Sequence, residues 1–84
     1  MNMNKLLIEV HVPSIESTFD IWIPRNVGVF ELLPLITTAV VRLSDGMFVA
    51  NDVALCNGTT GVIYNNNIRV DDMRLKNGSR LMLI

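Results

Sequence analysis

The sequence is short of the residues that most chemistry needs. It holds one cysteine and one histidine, charged side chains make up 18% of it, and lysine and arginine never stand together. The lone Cys56 has no internal disulfide partner, which fits a reducing cytoplasm. A net charge of -1 with no basic cluster argues against nucleic acid or an anionic membrane as the main partner. No stretch can cross a bilayer: residues 27–41 come closest, but Glu31, Pro34, Thr37 and Thr38 interrupt them, short of the roughly 18 apolar residues a spanning helix needs. Lys5 precedes Leu6, Leu7 and Ile8, yet Glu9 and His11 follow at once, which is no signal peptide. A cytoplasmic protein without direct membrane insertion is expected.

What is present is apolar. Half of the 84 residues are hydrophobic, which excludes a disordered polar chain and leaves some apolar surface outside. A chain of this size buries about 60–65% of its unfolded surface, enough for a core but not for a deep catalytic cavity beside it. With no internal repeat and no linker, residues 1–84 are expected to form a single domain, frayed over the patternless residues 1–4.

From Leu6 the chain alternates. Leu6, Ile8, Val10 and Val12 share one face and Leu7, Glu9 and His11 the other; after a polar link, Phe19, Ile21 and Ile23 alternate with Thr18, Asp20 and Trp22. The two runs predict an antiparallel hairpin. Placing the apolar sets together predicts Val12 opposite Phe19, Val10 opposite Ile21 and Ile8 opposite Ile23, which sets His11 against Asp20 and Glu9 against Trp22. Asn26 is the expected N-cap of a helix whose apolar stripe is Val29, Leu32, Leu33, Ile36 and Val40. Pro34 predicts a bend or a tight first turn, and Ser44-Asp45-Gly46 a left-handed stop. Val53, Ala54, Leu55 and Cys56 predict a short strand, and Val62, Ile63 and Tyr64 a weaker one. An Asn77-Gly78 turn then releases Leu81, Met82, Leu83 and Ile84, apolar on both faces and so central in a sheet. With a helix crossing over, the last strand can lie parallel to the first. The expected fold is α+β, a β-grasp mixed sheet with one helix on one face and a core of Leu6, Ile8, Val10, Phe19, Ile21, Ile23, Leu32, Leu33, Ile36, Leu75, Leu81 and Leu83.

Two stretches carry a resemblance. Leu55-Cys56-Asn57-Gly58 through Gly61, and Asp72-Met73-Arg74-Leu75-Lys76-Asn77-Gly78-Ser79-Arg80-Leu81, resemble the YukD/EsaB family of small ubiquitin-like proteins associated with type VII secretion systems of Gram-positive bacteria. Val29-Phe30-Glu31-Leu32-Leu33-Pro34-Leu35 is similar to the ubiquitin-like cytoplasmic domain of the related mycobacterial secretion channel. The resemblance implies a cytoplasmic accessory or regulatory component of a secretion machine that acts through protein contacts. The alternative is a ubiquitin-like modifier or sulfur carrier. Those proteins end in a Gly-Gly tail, whereas this sequence ends Leu83-Ile84, which speaks against conjugation.

Nothing fits an enzyme template, and no catalytic, cofactor or metal site is expected. His11 and Cys56 lie on separate strands with no motif that joins them, so an exposed histidine and a small half-buried thiol are the simpler reading. Asp71 and Asp72 lack further spaced ligands. The segment Asn57-Gly58-Thr59-Thr60-Gly61 lacks a lysine and reads as a hairpin turn rather than a phosphate loop. Leu7, Trp22, Met82 and Ile84, with Ala54 and Cys56 beside them, fall on the sheet face that the helix leaves open. These four are the candidate partner-binding residues, for a secretion component or for self-association.

Overall fold

The computed structural model describes residues 4–84. Its elements are β1 (Lys5–Val12), β2 (Ser17–Pro24), α1 (Val29–Leu43), β3 (Leu55–Asn57) and β4 (Arg80–Leu83), with short 3-10 turns at Pro13–Ile15 and Val70–Met73. The sheet order is β2-β1-β4-β3, with β4 parallel to β1 and the other pairs antiparallel. This is the expected β-grasp, and the apolar last strand is central. Ile8, Val10, Leu81 and Leu83 turn one face of the two middle strands under Leu32, Ile36 and Val40 of α1, and none of the seven is more than 1% exposed.

The hairpin forms where the alternation puts it, but its register is two residues from the expected one. Val10 faces Phe19, Ile8 faces Ile21 and Leu6 faces Ile23. The cause is the turn. Pro13–Ile15 coils into a 3-10 turn that closes when Glu16, at φ 50°, donates its N–H to the Pro13 carbonyl at 3.1 Å, so the strands stay paired up to Val12 and Ser17. A shift of two keeps every side chain on its face, so the pattern cannot distinguish the registers. The expected His11–Asp20 pair is therefore absent: His11 faces Thr18, with Nδ1 3.1 Å from Oγ1, while Asp20 faces Glu9 and Trp22 faces Leu7. Residues 1–3 of the segment expected to fray lie outside the described residues; Asn4 extends the ladder by accepting the Arg25 N–H at 2.9 Å.

The N-cap of α1 is Gly28, not Asn26. No side-chain cap is needed, because the carbonyls of Ile68 and Asn66 accept the N–H groups of Val29 and Phe30 at 2.9 and 3.3 Å. Glu31 and Leu32 both donate to the Gly28 carbonyl, which gives the tight first turn expected ahead of Pro34. The proline then sits on the exposed side, where water can take the Phe30 carbonyl it leaves unbonded. At the other end Asp45 and Gly46 turn left-handed (φ 53° and 78°), and the Gly46 N–H reaches back to the Val41 carbonyl at 2.9 Å. Ser44 Oγ accepts the Phe48 N–H at 3.1 Å, which directs Phe48 into the core.

Residues 62–64 do not make the expected strand. They touch the sheet through a single bridge, Ile63 to Cys56, with the main chain bonded on either side and Val62 and Ile63 mostly exposed. Such a segment closes an edge without burying a face. In the connector that follows, Val70 is the core residue, held by its N–H on the Val27 carbonyl at 2.9 Å. Leu75, Phe19 and Leu33 from the expected core are only partly buried against it. At Asn77-Gly78 the side chain of Asn77 accepts the Leu7 N–H at 2.9 Å and the Gly78 N–H (φ 88°) donates to the Leu7 carbonyl at 2.8 Å, so the turn pairs with β1 before β4 begins.

Two substitutions test this packing. Leu81→Ala is expected to cost about 2–5 kcal/mol in a denaturant titration, since it empties a fully buried site between α1 and two strands. Gly58 lies so close to β4 that an added Cβ would fall 2.8 Å from the Arg80 carbonyl carbon and oxygen. Gly58→Ala should lower stability by about 1–3 kcal/mol in the same titration. A variant as stable as the parent would refute the corresponding contact.

Candidate functional site

The face of the sheet away from α1 carries Leu7, Glu9 and His11 from β1, Thr18, Asp20 and Trp22 from β2, Arg80 and Met82 from β4, and Cys56 from β3. The register fixes how they neighbour one another. Leu7 stands directly opposite Trp22, Glu9 lies between Asp20 and Arg80, and His11 lies between Thr18 and Met82, whose other neighbour is Cys56. Ile84 follows β4 and exchanges main-chain hydrogen bonds with Ala54 at 2.9 and 3.0 Å.

The four candidate residues thus fall into two pairs. Leu7 and Trp22 form one apolar corner, where their main chains do not bond each other and their side chains come close. Trp22 is 59% exposed and Leu7 half-buried. Met82 and Ile84 belong to the opposite end of the face, with Ile84 47% exposed. Between the pairs runs a polar band in which Arg80 Nε donates to Glu9 Oε2 at 2.9 Å with Asp20 alongside. At such exposure the ion pair adds at most about 1 kcal/mol to stability. Its larger effect is to divide the apolar surface. Ala54 is half-buried and Cys56 fully buried, so neither offers contact area.

The chemistry-bearing residues are kept apart. Met82 separates His11 from Cys56 by two strand spacings, roughly 10 Å, too far for a base to take a thiol proton. Burial also pushes the Cys56 thiol above its ordinary pKa, which disfavours the thiolate that a nucleophile needs. Asp71 lies 3.7 Å from Arg69 at the surface, and among the described residues no three His, Cys, Asp or Glu side chains gather around a point. In the 57–61 turn, Asn57 Oδ1 accepts the N–H groups of Thr59 and Thr60 at 2.8 and 3.0 Å, and the Asn57 carbonyl accepts that of Gly61 at 2.8 Å. Those donors point into the turn, as in a hairpin and not in a phosphate cradle.

One feature escaped the sequence reading. Between the outer edge of β2 and α1 runs a groove of about 350 Å³ lined by Lys5, Ile21, Trp22, Ile23, Pro24, Leu35, Ile36 and Ala39. Alternation shows which residues face a helix, but not that the helix stops short of a strand's edge.

The buried thiol makes a testable case. Cys56 should react with a disulfide reagent at least about a hundredfold more slowly in the native protein than in denaturant. Because its pKa is raised on folding, the stability this group contributes is fully present below the ordinary thiol pKa and is lost as pH rises through the folded value. Rapid labelling of the native protein at neutral pH would contradict the burial.

No protein-family model matches the sequence, and no curated relative does. Solved structures do match. The ubiquitin-like domain of EccD5 from Mycobacterium xenopi aligns with a TM-score of 0.77 at 11% identity, over 95% of this chain and 92% of that one. The ubiquitin-like domain of the type VII secretion protein EccD1 from Mycobacterium tuberculosis aligns with a TM-score of 0.75 at 14% identity, over 98% and 99%. A chain of the ESX-5 inner membrane complex aligns at 0.71 and 16% identity, over 96% of this chain and 21% of that one. At these identities the likeness shows a ubiquitin-like β-grasp fold, and it does not single out the YukD/EsaB branch.

Proposed function

We propose that this chain is a non-enzymatic accessory or regulatory protein of a type VII secretion system, acting in the cytoplasm through protein contacts and belonging with the YukD/EsaB proteins. The observation that carries the reading is the overlay on the EccD1 ubiquitin-like domain along almost the whole of both chains. The sequence resemblance of the 55–61 and 72–81 stretches points to the same system. The separation of His11 from Cys56 and the closed 57–61 turn support a role without catalysis, leaving the surface to do the work.

On that surface the Leu7–Trp22 corner is the proposed anchor, with Met82 and Ile84 as a second contact across the polar band. A half-exposed indole on a flat sheet offers large contact area at low entropic cost. The partner is a protein component of the secretion machinery, and a second copy of the chain is the competing occupant.

Photo-crosslinking from position 22 in the native host tests the system and the surface together. Adducts with a secretion-system protein are expected; adducts only with proteins outside that system would overturn the reading, and adducts only with itself would assign the corner to self-association. With the captured partner, Trp22→Ala should weaken binding by about 2 kcal/mol or more, roughly thirtyfold, with little loss of stability. Thr38→Ala, on the exposed side of α1, should leave it unchanged. Intact mass spectrometry of the native protein should show a single unconjugated species, whereas covalent adducts would favour the modifier alternative.

A further inference from the structure

Of the asparagines in the chain, only Asn57 and Asn77 precede a glycine. In that pairing an asparagine side chain turns most readily on its own main chain, because the glycine carries no Cβ to keep the amide carbon away from its nitrogen. The reaction balances with water alone. At Asn77, the Gly78 nitrogen gives its proton to hydroxide and attacks Cγ; the new N–Cγ bond closes a five-membered imide as the Cγ–Nδ2 bond breaks and ammonia leaves with a proton from water. A second water then opens the ring. Opening at Cγ leaves aspartate, and opening at the main-chain carbonyl leaves an isoaspartyl link that carries the chain through Cβ and Cγ.

The fold restrains both reacting groups at Asn77. The Gly78 N–H donates to the Leu7 carbonyl at 2.8 Å, and Asn77 Oδ1 accepts the Leu7 N–H at 2.9 Å. Stripping the nitrogen of its proton and swinging Cγ onto it therefore each break a bond to the same residue of β1. Asn57 is restrained too, with Oδ1 taken by the Thr59 and Thr60 N–H groups and the Gly58 N–H on the Arg80 carbonyl at 2.9 Å. There packing adds a second restraint. A Cβ at Gly58 would fall 2.8 Å from the Arg80 main chain, whereas one at Gly78 would meet nothing within 4 Å. Asn77 and Gly78 are exposed while Asn57 and Gly58 are half-buried, so room for the ring and access for water coincide at Asn77. We infer that Asn77-Gly78 is a hydrolytic modification site gated by the pairing of β1 with the turn and β4: silent while they are joined, reactive when they part. The isoaspartyl product holds the open form. It puts one extra atom into the main chain between the Asn77 Cα and the Gly78 nitrogen, so the two Leu7 bonds and the Glu9 N–H on the Ser79 carbonyl, at 2.9 Å, no longer form together.

The chemistry is independent of the secretion reading and is tested on the protein alone. The full chain is incubated at mildly alkaline pH in heavy-oxygen water, with and without guanidinium, and conversion at each asparagine is followed by peptide mapping. In guanidinium, Asn57 and Asn77 should convert at similar rates. In the native protein Asn77 should convert at least about a hundredfold more slowly than in guanidinium, and ahead of Asn57. Leu81→Ala, which loosens β4, should speed the native reaction at Asn77 at least about tenfold; the comparison in guanidinium needs only the parent and holds if that variant does not fold. The isoaspartyl protein, separated by chromatography, should lose hydrogen-exchange protection at the Leu7 and Glu9 amides. Asn77→Asp keeps an Oδ acceptor and a chain of normal length, and should retain it. Native conversion of Asn77 as fast as in guanidinium, or behind Asn57, overturns the gating. Full protection of the Leu7 and Glu9 amides in the isoaspartyl protein, or an equal loss in Asn77→Asp, overturns the claim that the lengthened chain holds the open form.

Discussion

The fold depends on the insertion of β4 beside β1. Until it arrives, Leu7 and Glu9 have main-chain groups with no strand to meet, and Ile8 and Val10 lack the neighbours that complete their burial. The partners that complete β1 lie some seventy positions away in the chain, so closure comes at the entropic cost of a long loop, offset by burying Leu81 and Leu83 completely. The Asn77-Gly78 turn eases that closure. Asn77 Oδ1 takes the Leu7 N–H in place of a strand carbonyl, so pairing begins in the turn and runs on into β4 without leaving that donor unpaired.

Everything that repeats with a period was legible in the sequence. The two-residue alternation placed β1 and β2 and every face along them, and the three-to-four spacing placed α1 and its buried stripe. The final strand was recognisable because it is apolar on both sides. What alternation could not supply was the register, since sliding by two residues leaves each face intact. The deciding term was the coil of Pro13–Ile15 with Glu16 left-handed, which needs a positive φ at a glutamate that carries no turn signature. Phe48 and Val70 escaped for a related reason. Each is held in the core by one hydrogen bond within an aperiodic segment, from the Phe48 N–H to Ser44 Oγ and from the Val70 N–H to the Val27 carbonyl.

The candidate surface was legible in part for the same reasons. Face parity correctly put Leu7, Trp22, Met82 and Ile84 away from the helix, yet contiguity depends on stagger as well as on face. The parallel pairing sets Arg80 beside Glu9 and Met82 beside His11, which places a charged pair where a single apolar patch was expected. Cys56 shows the limit of face arguments in another way. It lies on the open side of a short strand and is nonetheless fully buried.

A sheet of four strands with a single helix must leave something uncovered, and the geometry decides what. Helix α1 covers the inner side chains of the two middle strands completely, and this leaves room between it and the outer edge of β2. At the β3 edge the chain spends residues 62–64 on main-chain pairing while Val62 and Ile63 stay exposed, so that edge is closed by hydrogen bonds and not by burial. Among the described residues, nothing comparable returns to β2. The outcome is that one strand serves three environments: Ile21 and Ile23 complete the core, the Trp22 side chain projects from the open face, and the main chains of Thr18, Asp20 and Trp22 define an edge. Substitutions at neighbouring positions of β2 therefore act on separable properties, because the period of two assigns side chains to faces while the ladder independently assigns main-chain groups to edges.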